Sequence, residues 1–99
     1  MKTVEFHPGA QTDYDESLDW YAARSRQAAT LFATAVDESL GRIQHNPTLF
    51  RALDSQHREC LLKRFPFRII FRIMGDRVVV IAVAHAKRRP GYWQDRVHD

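Results

Sequence analysis

RECLLKRFPFRIIFRIMGDRVVVIAVAHAKRRPGYWQDR, residues 58–96, decides how this chain folds. Two apolar runs, residues 65–74 and 78–84, flank Gly75-Asp76. Glycine takes positive φ without steric cost, so a two-residue loop with glycine first predicts a type II′ hairpin turn. Register follows from the turn. Met74 is expected opposite Arg77, Arg72 opposite Val79, Ile70 opposite Ile81, and Arg68 opposite Val83. Side chains alternate along a strand, which puts Arg68, Ile70, Arg72, Val79, Ile81, Val83 and His85 on one face. Ile69, Phe71, Ile73, Val78, Val80 and Ala82 fall on the other, purely apolar face, which needs a cover. The mixed face, with two arginines and a histidine beside apolar residues, reads as a contact surface.

Working outward, Thr3-Val4-Glu5-Phe6 alternates as a short strand does, and Pro8-Gly9 ends it. From Ala10 to about Arg24 the spacing becomes helical, with Ala10, Tyr14, Leu18 and Tyr21 on one stripe. Asp15, Glu16 and Asp19 face away from that stripe and read as a solvated helix face. Ser25 is a natural N-cap for a second helix. Its stripe is Ala28, Leu31, Phe32, Ala35, Ser39, Leu40 and Ile43, and Asn46-Pro47 stops it. Residues 47–57 read as a loop and residues 60–63 as a short strand. The order is β-α-α-β-β-β. It predicts a two-layer α+β domain spanning residues 1–99, its αα-hairpin packed on one face of a three-stranded antiparallel meander. The expected core is Leu18, Tyr21, Leu31, Phe32, Leu40, Ile43, Ile69, Phe71, Ile73, Val78 and Val80.

Composition narrows the function classes. Formal net charge is +3, but residues 1–57 carry five Lys/Arg against eight Asp/Glu, and residues 58–99 carry ten against four. The basic half favours an anionic partner, nucleic acid or an acidic protein segment. The single cysteine, Cys60, allows no intrachain disulfide, and the N-terminus lacks the apolar core of a signal peptide. No apolar run approaches a membrane span, so the expected compartment is the cytoplasm. Histidines 7, 45, 57, 85 and 98 show no paired spacing, and no glycine pattern cradles a phosphate. No metal and no cofactor are expected.

What remains is the basic face. Lys63, Arg64, Arg68, Arg72, His85, Lys87, Arg88 and Arg89 lie on neighbouring strand ends and the tail, followed by Tyr92 and Trp93, as candidate contacts to nucleic acid. Cleavage of RNA by its own 2′-OH needs proton transfer, which His85 and Tyr92 could supply. It also needs cations around the phosphorane, which the arginines could supply. The other reading of His85 is a strand-end cap, and of Tyr92 and Trp93 a cluster closing the open end of the sheet.

The chain resembles the RelE/ParE superfamily of bacterial type II toxin–antitoxin systems. The resemblance is carried by Trp20-Tyr21, by Ile43-Gln44-His45-Asn46-Pro47, by the FPFRIIFR stretch at 65–72, by VVVIAV at 78–83 and by HAKRR at 85–89. It implies a growth-arresting toxin neutralised by a cognate antitoxin, the two forming a hetero-oligomer. Three activities fit. The first, which the reading favours slightly, is a ribosome-dependent, metal-independent mRNA endonuclease with Arg68, His85, Arg88 and Tyr92 as its catalytic residues and Lys63 or Arg64 beside them. The second is a non-enzymatic inhibitor of DNA gyrase, and the third a non-toxic antitoxin-binding relative. The partners implied are the antitoxin with either the ribosome and mRNA or gyrase. An acidic, partly disordered antitoxin tail is expected across Arg68, Arg72, Ile70 and Ile81, or along the helical hairpin.

Overall fold

The computed structural model describes residues 1–96; residues 97–99, and with them His98, lie outside the described residues. Strands β4 (Phe67–Met74) and β5 (Arg77–His85) form the central hairpin. Gly75 takes φ +66° while Asp76 does not enter the positive-φ region, as a type II′ turn requires. Near the turn the register is the expected one: Met74 faces Arg77, Ile73 faces Val78 and Arg72 faces Val79.

Beyond Phe71 the register departs from expectation. Phe71 still faces Val80, but Ile70 faces Ala82, Arg68 faces Ala84 and Phe67 faces His85. Ile81 is an extra residue, a β-bulge in β5. The bulge reverses the facing of everything after it. Val83 joins the helix-side core with Ile69 and Phe71, whereas Ala82 joins Ile70 and Ile81 on the opposite face. His85, expected beside Arg68, instead sits edge-on against Phe67 with ring centroids 4.9 Å apart. Residues 81–84 are all apolar, so no polar residue marks the shift in the sequence.

The remaining strands extend the sheet to the order β1-β5-β4-β3-β2. β1 (Thr3–Phe6) runs parallel to β5 and covers its edge only as far as Phe6 opposite Val80. β3 (Arg58–Leu61) begins two residues earlier than expected, and β2 (Arg51–Ala52) is a short edge strand within the region read as loop. Helix α1 (Pro8–Arg24) starts with proline at its first turn, and the His7 Nδ1 accepts from the Gly9 amide at 2.9 Å as its cap. Ser25 separates it from α2 (Arg26–His45), and its hydroxyl accepts from the Ala28 amide at 3.1 Å. Asn46-Pro47 ends α2 as read.

Both faces of the sheet are covered. On the helix side Phe32, Val36 and Ile43 of α2 pack on Ile69, Phe71, Val78 and Val80, with Tyr21, Phe65 and Phe67 closing one end. Leu31, expected in this core, is 46% exposed; the adjacent Phe32 takes the inward position and Val36, four residues on, continues it. On the other face Ile70 and Ile81 are 1% and 0% exposed beneath Trp93, with Tyr92, Leu53 and Met74 around them. This corrects the expectation that Ile70 and Ile81 offer an open contact surface. The chain's own C-terminal segment occupies it.

Candidate functional site

After β5 the chain reverses in consecutive turns. The Ala86 amide donates to the Pro66 carbonyl at 2.7 Å and the Arg88 amide to the His85 carbonyl at 2.9 Å. Gly91, at φ +73°, then brings Tyr92 and Trp93 back over the outer face of the sheet. Between this segment and β4 lies a cavity of about 230 Å³. Arg68, His85, Arg88, Arg89 and Tyr92 all line it. The other expected contacts lie outside its walls. Lys63 lines a separate groove beside α2, Arg64 occupies a positive-φ turn position, Arg72 is farther along β4, and Lys87 is exposed.

Most of the cavity's polar groups already have intramolecular partners. Arg68 Nη1 donates to Glu59 Oε1 at 2.8 Å, and Glu59 is buried and also bonds Arg51 at 3.2 Å. His85 Nδ1 accepts the Lys87 amide at 2.9 Å, leaving only Nε2 to face a ligand. Tyr92 donates its hydroxyl to Asp13 Oδ2 at 2.9 Å, and its ring carries the Arg88 guanidinium at 4.0 Å. Beside the cavity, Asp54 is held below its ordinary pKa, chiefly by the Gln56 amide and further by the His57 side chain at 3.0 Å. The His57 ring packs on Trp93 at 4.8 Å, which ties this loop to the segment that closes the cavity.

Burial and the bond to Asp13 push the Tyr92 phenol well above its ordinary pKa. Burial raises Tyr14 and Tyr21 in the same direction. An unfolded chain therefore releases phenolic protons that the folded chain keeps, so stability falls as pH rises past the unfolded value of about 10. The full contribution is present below about pH 10 and is lost progressively above it. Urea unfolding between about pH 9 and about pH 11 should show this decline, and Tyr92→Phe should flatten it.

Two residues that organise the site were not read from the sequence. Asp13 and Arg96 form a buried ion pair at 2.8 Å, their side chains 5% and 16% exposed. They do more than pair. The Val83 amide donates to Asp13 Oδ2 at 3.1 Å, and the Ile81 carbonyl accepts from Arg96 Nη1 at 2.9 Å. β1 ends opposite Val80, so the two side chains stand in for a neighbouring strand along the bulged edge of β5. Gly9 makes room for this. A Cβ there would lie 2.6 Å from Arg96 Nε. The signal was present in part: Asp13 sits three residues after Ala10, on the buried stripe of α1, where a carboxylate needs a partner. Its partner lies 83 residues along the chain and shares no local pattern with it.

Among the described residues no helix is long and apolar enough to cross a membrane. A family model described as the ParE toxin of type II toxin–antitoxin system, parDE, matches residues 4–90. The chain is 27% identical over 90 residues to Toxin ParE2 of Mycobacterium tuberculosis, from strains CDC 1551 / Oshkosh and H37Rv, a match spanning 90% of this chain and 86% of that protein. The fold superposes on a chain of the chromosomal ParDE TA system from P. aeruginosa with a TM-score of 0.75 at 19% identity, covering 88% of this chain and 98% of that one. With the family model matched across almost the whole of the folded region, this chain belongs to the ParE toxin family of type II toxin–antitoxin systems.

Proposed function

We propose that this protein arrests growth by binding, as a non-enzymatic inhibitor of DNA gyrase, and that an acidic antitoxin neutralises it. The observation that carries this reading is the engagement of the phenolic proton-transfer candidate: the Tyr92 hydroxyl is committed to Asp13, while His85, its Nδ1 held by a backbone amide, keeps Nε2 alone. A general acid must present its proton to the substrate. Tyr92 presents its proton to a buried carboxylate, and its raised pKa opposes release near neutrality. The charged groups left at the surface, Arg88 and Arg89 with Lys87, suit recognition of an anionic or acidic surface.

A second reading, ribosome-dependent cleavage of mRNA, is favoured by one observation. Arg68, His85, Arg88 and Tyr92 line a single cavity. Tyr92→Phe divides the two, because it keeps the ring under Arg88 and removes only the hydroxyl. Loss of a proton donor would cut cleavage by roughly 10²–10⁴-fold. Loss of a single hydroxyl hydrogen bond at a binding surface, typically about 0.5–1.5 kcal/mol, is expected to change potency by no more than about tenfold. The experiment induces the wild-type chain and the variant in cells and follows protein synthesis and gyrase–DNA complexes. Continued translation with filamentation and trapped gyrase–DNA complexes, retained by Tyr92→Phe, is the expected result. Rapid translation arrest with mRNA cut inside codons, lost in Tyr92→Phe, would overturn it, and unimpaired growth would favour a non-toxic antitoxin-binding relative.

A further inference from the structure

Carboxylates hold Arg51, Arg68, Arg77 and Arg96, through Glu59, Glu5 and Asp13. Each such pair offsets the charge that it positions. Arg88 is held differently. Its guanidinium lies 4.0 Å over the ring of Tyr92, and among the described residues no hydrogen bond or ion pair engages its side chain. Arg24 and Arg42 also lie over rings, but each donates a hydrogen bond as well. A ring face attracts a cation through its quadrupole and takes up none of the in-plane N–H groups. The N–H fork of Arg88 is therefore placed and still open to a partner.

The ring that carries Arg88 is itself fixed. The Tyr92 hydroxyl donates to Asp13 at 2.9 Å, the Arg96 guanidinium lies 5.0 Å from the same ring, and the adjoining Trp93 is buried over Ile70 and Ile81. Arg88 belongs to the exposed turn after β5, where a long side chain left to itself samples many rotamers. Stacking on a fixed ring selects among them before a partner arrives. The selected position is a shared wall. Arg88 and His85 line both the cavity under Tyr92 and a second hollow of about 620 Å³, formed with Trp20, Tyr21 and Phe67. Glu16 lines the second hollow but forms no ion pair with Arg88. A planar fork with open donors matches a carboxylate, which accepts two parallel N–H bonds from it.

We infer that Tyr92 is a positioning residue, its ring face holding the open Arg88 fork to capture a carboxylate on the surface of gyrase. This rests on the binding reading proposed above and names a group through which that binding acts. The hydroxyl of Tyr92 serves the fold and its ring serves the contact.

The test measures binding of the purified full-length chain to purified gyrase without DNA. Arg88→Ala should weaken binding by roughly 10–100-fold, as truncation of a central interface arginine does. Arg88→Lys keeps the charge at an exposed position, removes the planar fork and should also weaken binding, so the test stands even where a change at Tyr92 disturbs the closing segment. Tyr92→Leu should weaken binding by roughly 3–10-fold, the range one ring–guanidinium contact allows, and Tyr92→Phe, which keeps the ring, by less than about twofold. Added to Arg88→Ala, Tyr92→Leu should have no further effect, a result that a purely structural role for Tyr92 would not give. Proton NMR reads the stacking without the target: the Arg88 side-chain resonances should be shifted upfield by the ring in the wild type and in Tyr92→Phe, and not in Tyr92→Leu. Unshifted Arg88 resonances in the wild type would overturn the platform. Wild-type affinity in Arg88→Lys or in Tyr92→Leu, or an equal effect of Tyr92→Leu with and without Arg88, would overturn the inference and leave the gyrase reading standing. Binding that appears only when DNA is added would move the anion to a phosphate and overturn the carboxylate. A wild-type chain that binds gyrase in neither condition would overturn both.

Discussion

Asp13→Ala should destabilise the protein by about 3–5 kcal/mol, because it leaves Arg96 charged and buried without its partner. The same change orphans the Val83 amide and the Tyr92 hydroxyl, both of which donate to Asp13. The loss is large against the roughly 5–15 kcal/mol that holds a small domain together. Urea unfolding measures it. A second variant separates charge from position. Asp13→Leu combined with Arg96→Met removes both charges and should recover part of the loss, as apolar replacements of buried ion pairs do. Recovery should stay incomplete, since the Ile81 carbonyl and the Val83 amide still lose their partners along the β5 edge. A loss under about 1 kcal/mol for Asp13→Ala would mean that the pair is solvated and the closing segment is not anchored by it.

Phe71→Ala is expected to cost a similar amount, about 3–5 kcal/mol, by a different cause. Phe71 is 0% exposed and packs edge-on against Phe50, ring centroids 5.9 Å apart. Removing the ring leaves a void that strands on either side of β4 cannot collapse into, because the ladder holds them at fixed spacing. Thermal and urea unfolding should both register the loss, and the two variants differ in what they spare. Phe71→Ala weakens the helix-side core, whereas Asp13→Ala loosens the segment that carries Tyr92 and Arg88. Hydrogen exchange should therefore speed at the residue 81–84 amides more in Asp13→Ala than its overall stability loss explains.

These expectations separate what was legible in the chain from what was not. Gly75-Asp76 between apolar runs determined the hairpin, since a two-residue turn with glycine first has few alternatives. Ser25 and Asn46-Pro47 determined where α2 begins and ends, through bonding and sterics that act within four residues. The alternation of Ile69, Phe71, Val78 and Val80 determined the face that meets the helices, and the FPFRIIFR and HAKRR stretches carried the family resemblance. All of these are local or periodic signals. The bulge at Ile81 is neither. It sits in a run where every register buries an apolar residue, and its edge is satisfied by Asp13 from α1 and Arg96 from the chain's far end. That choice moved His85 from beside Arg68 to Phe67 and committed the Tyr92 hydroxyl to Asp13. One guanidinium nitrogen of Arg68 is taken in the same way, by a buried Glu59 on the neighbouring strand. The sequence alone thus determined the elements and the basic character of the site. Only the tertiary structure decided which of its groups are free to act, because each partner comes from a residue distant in the chain and is chosen by packing rather than by spacing.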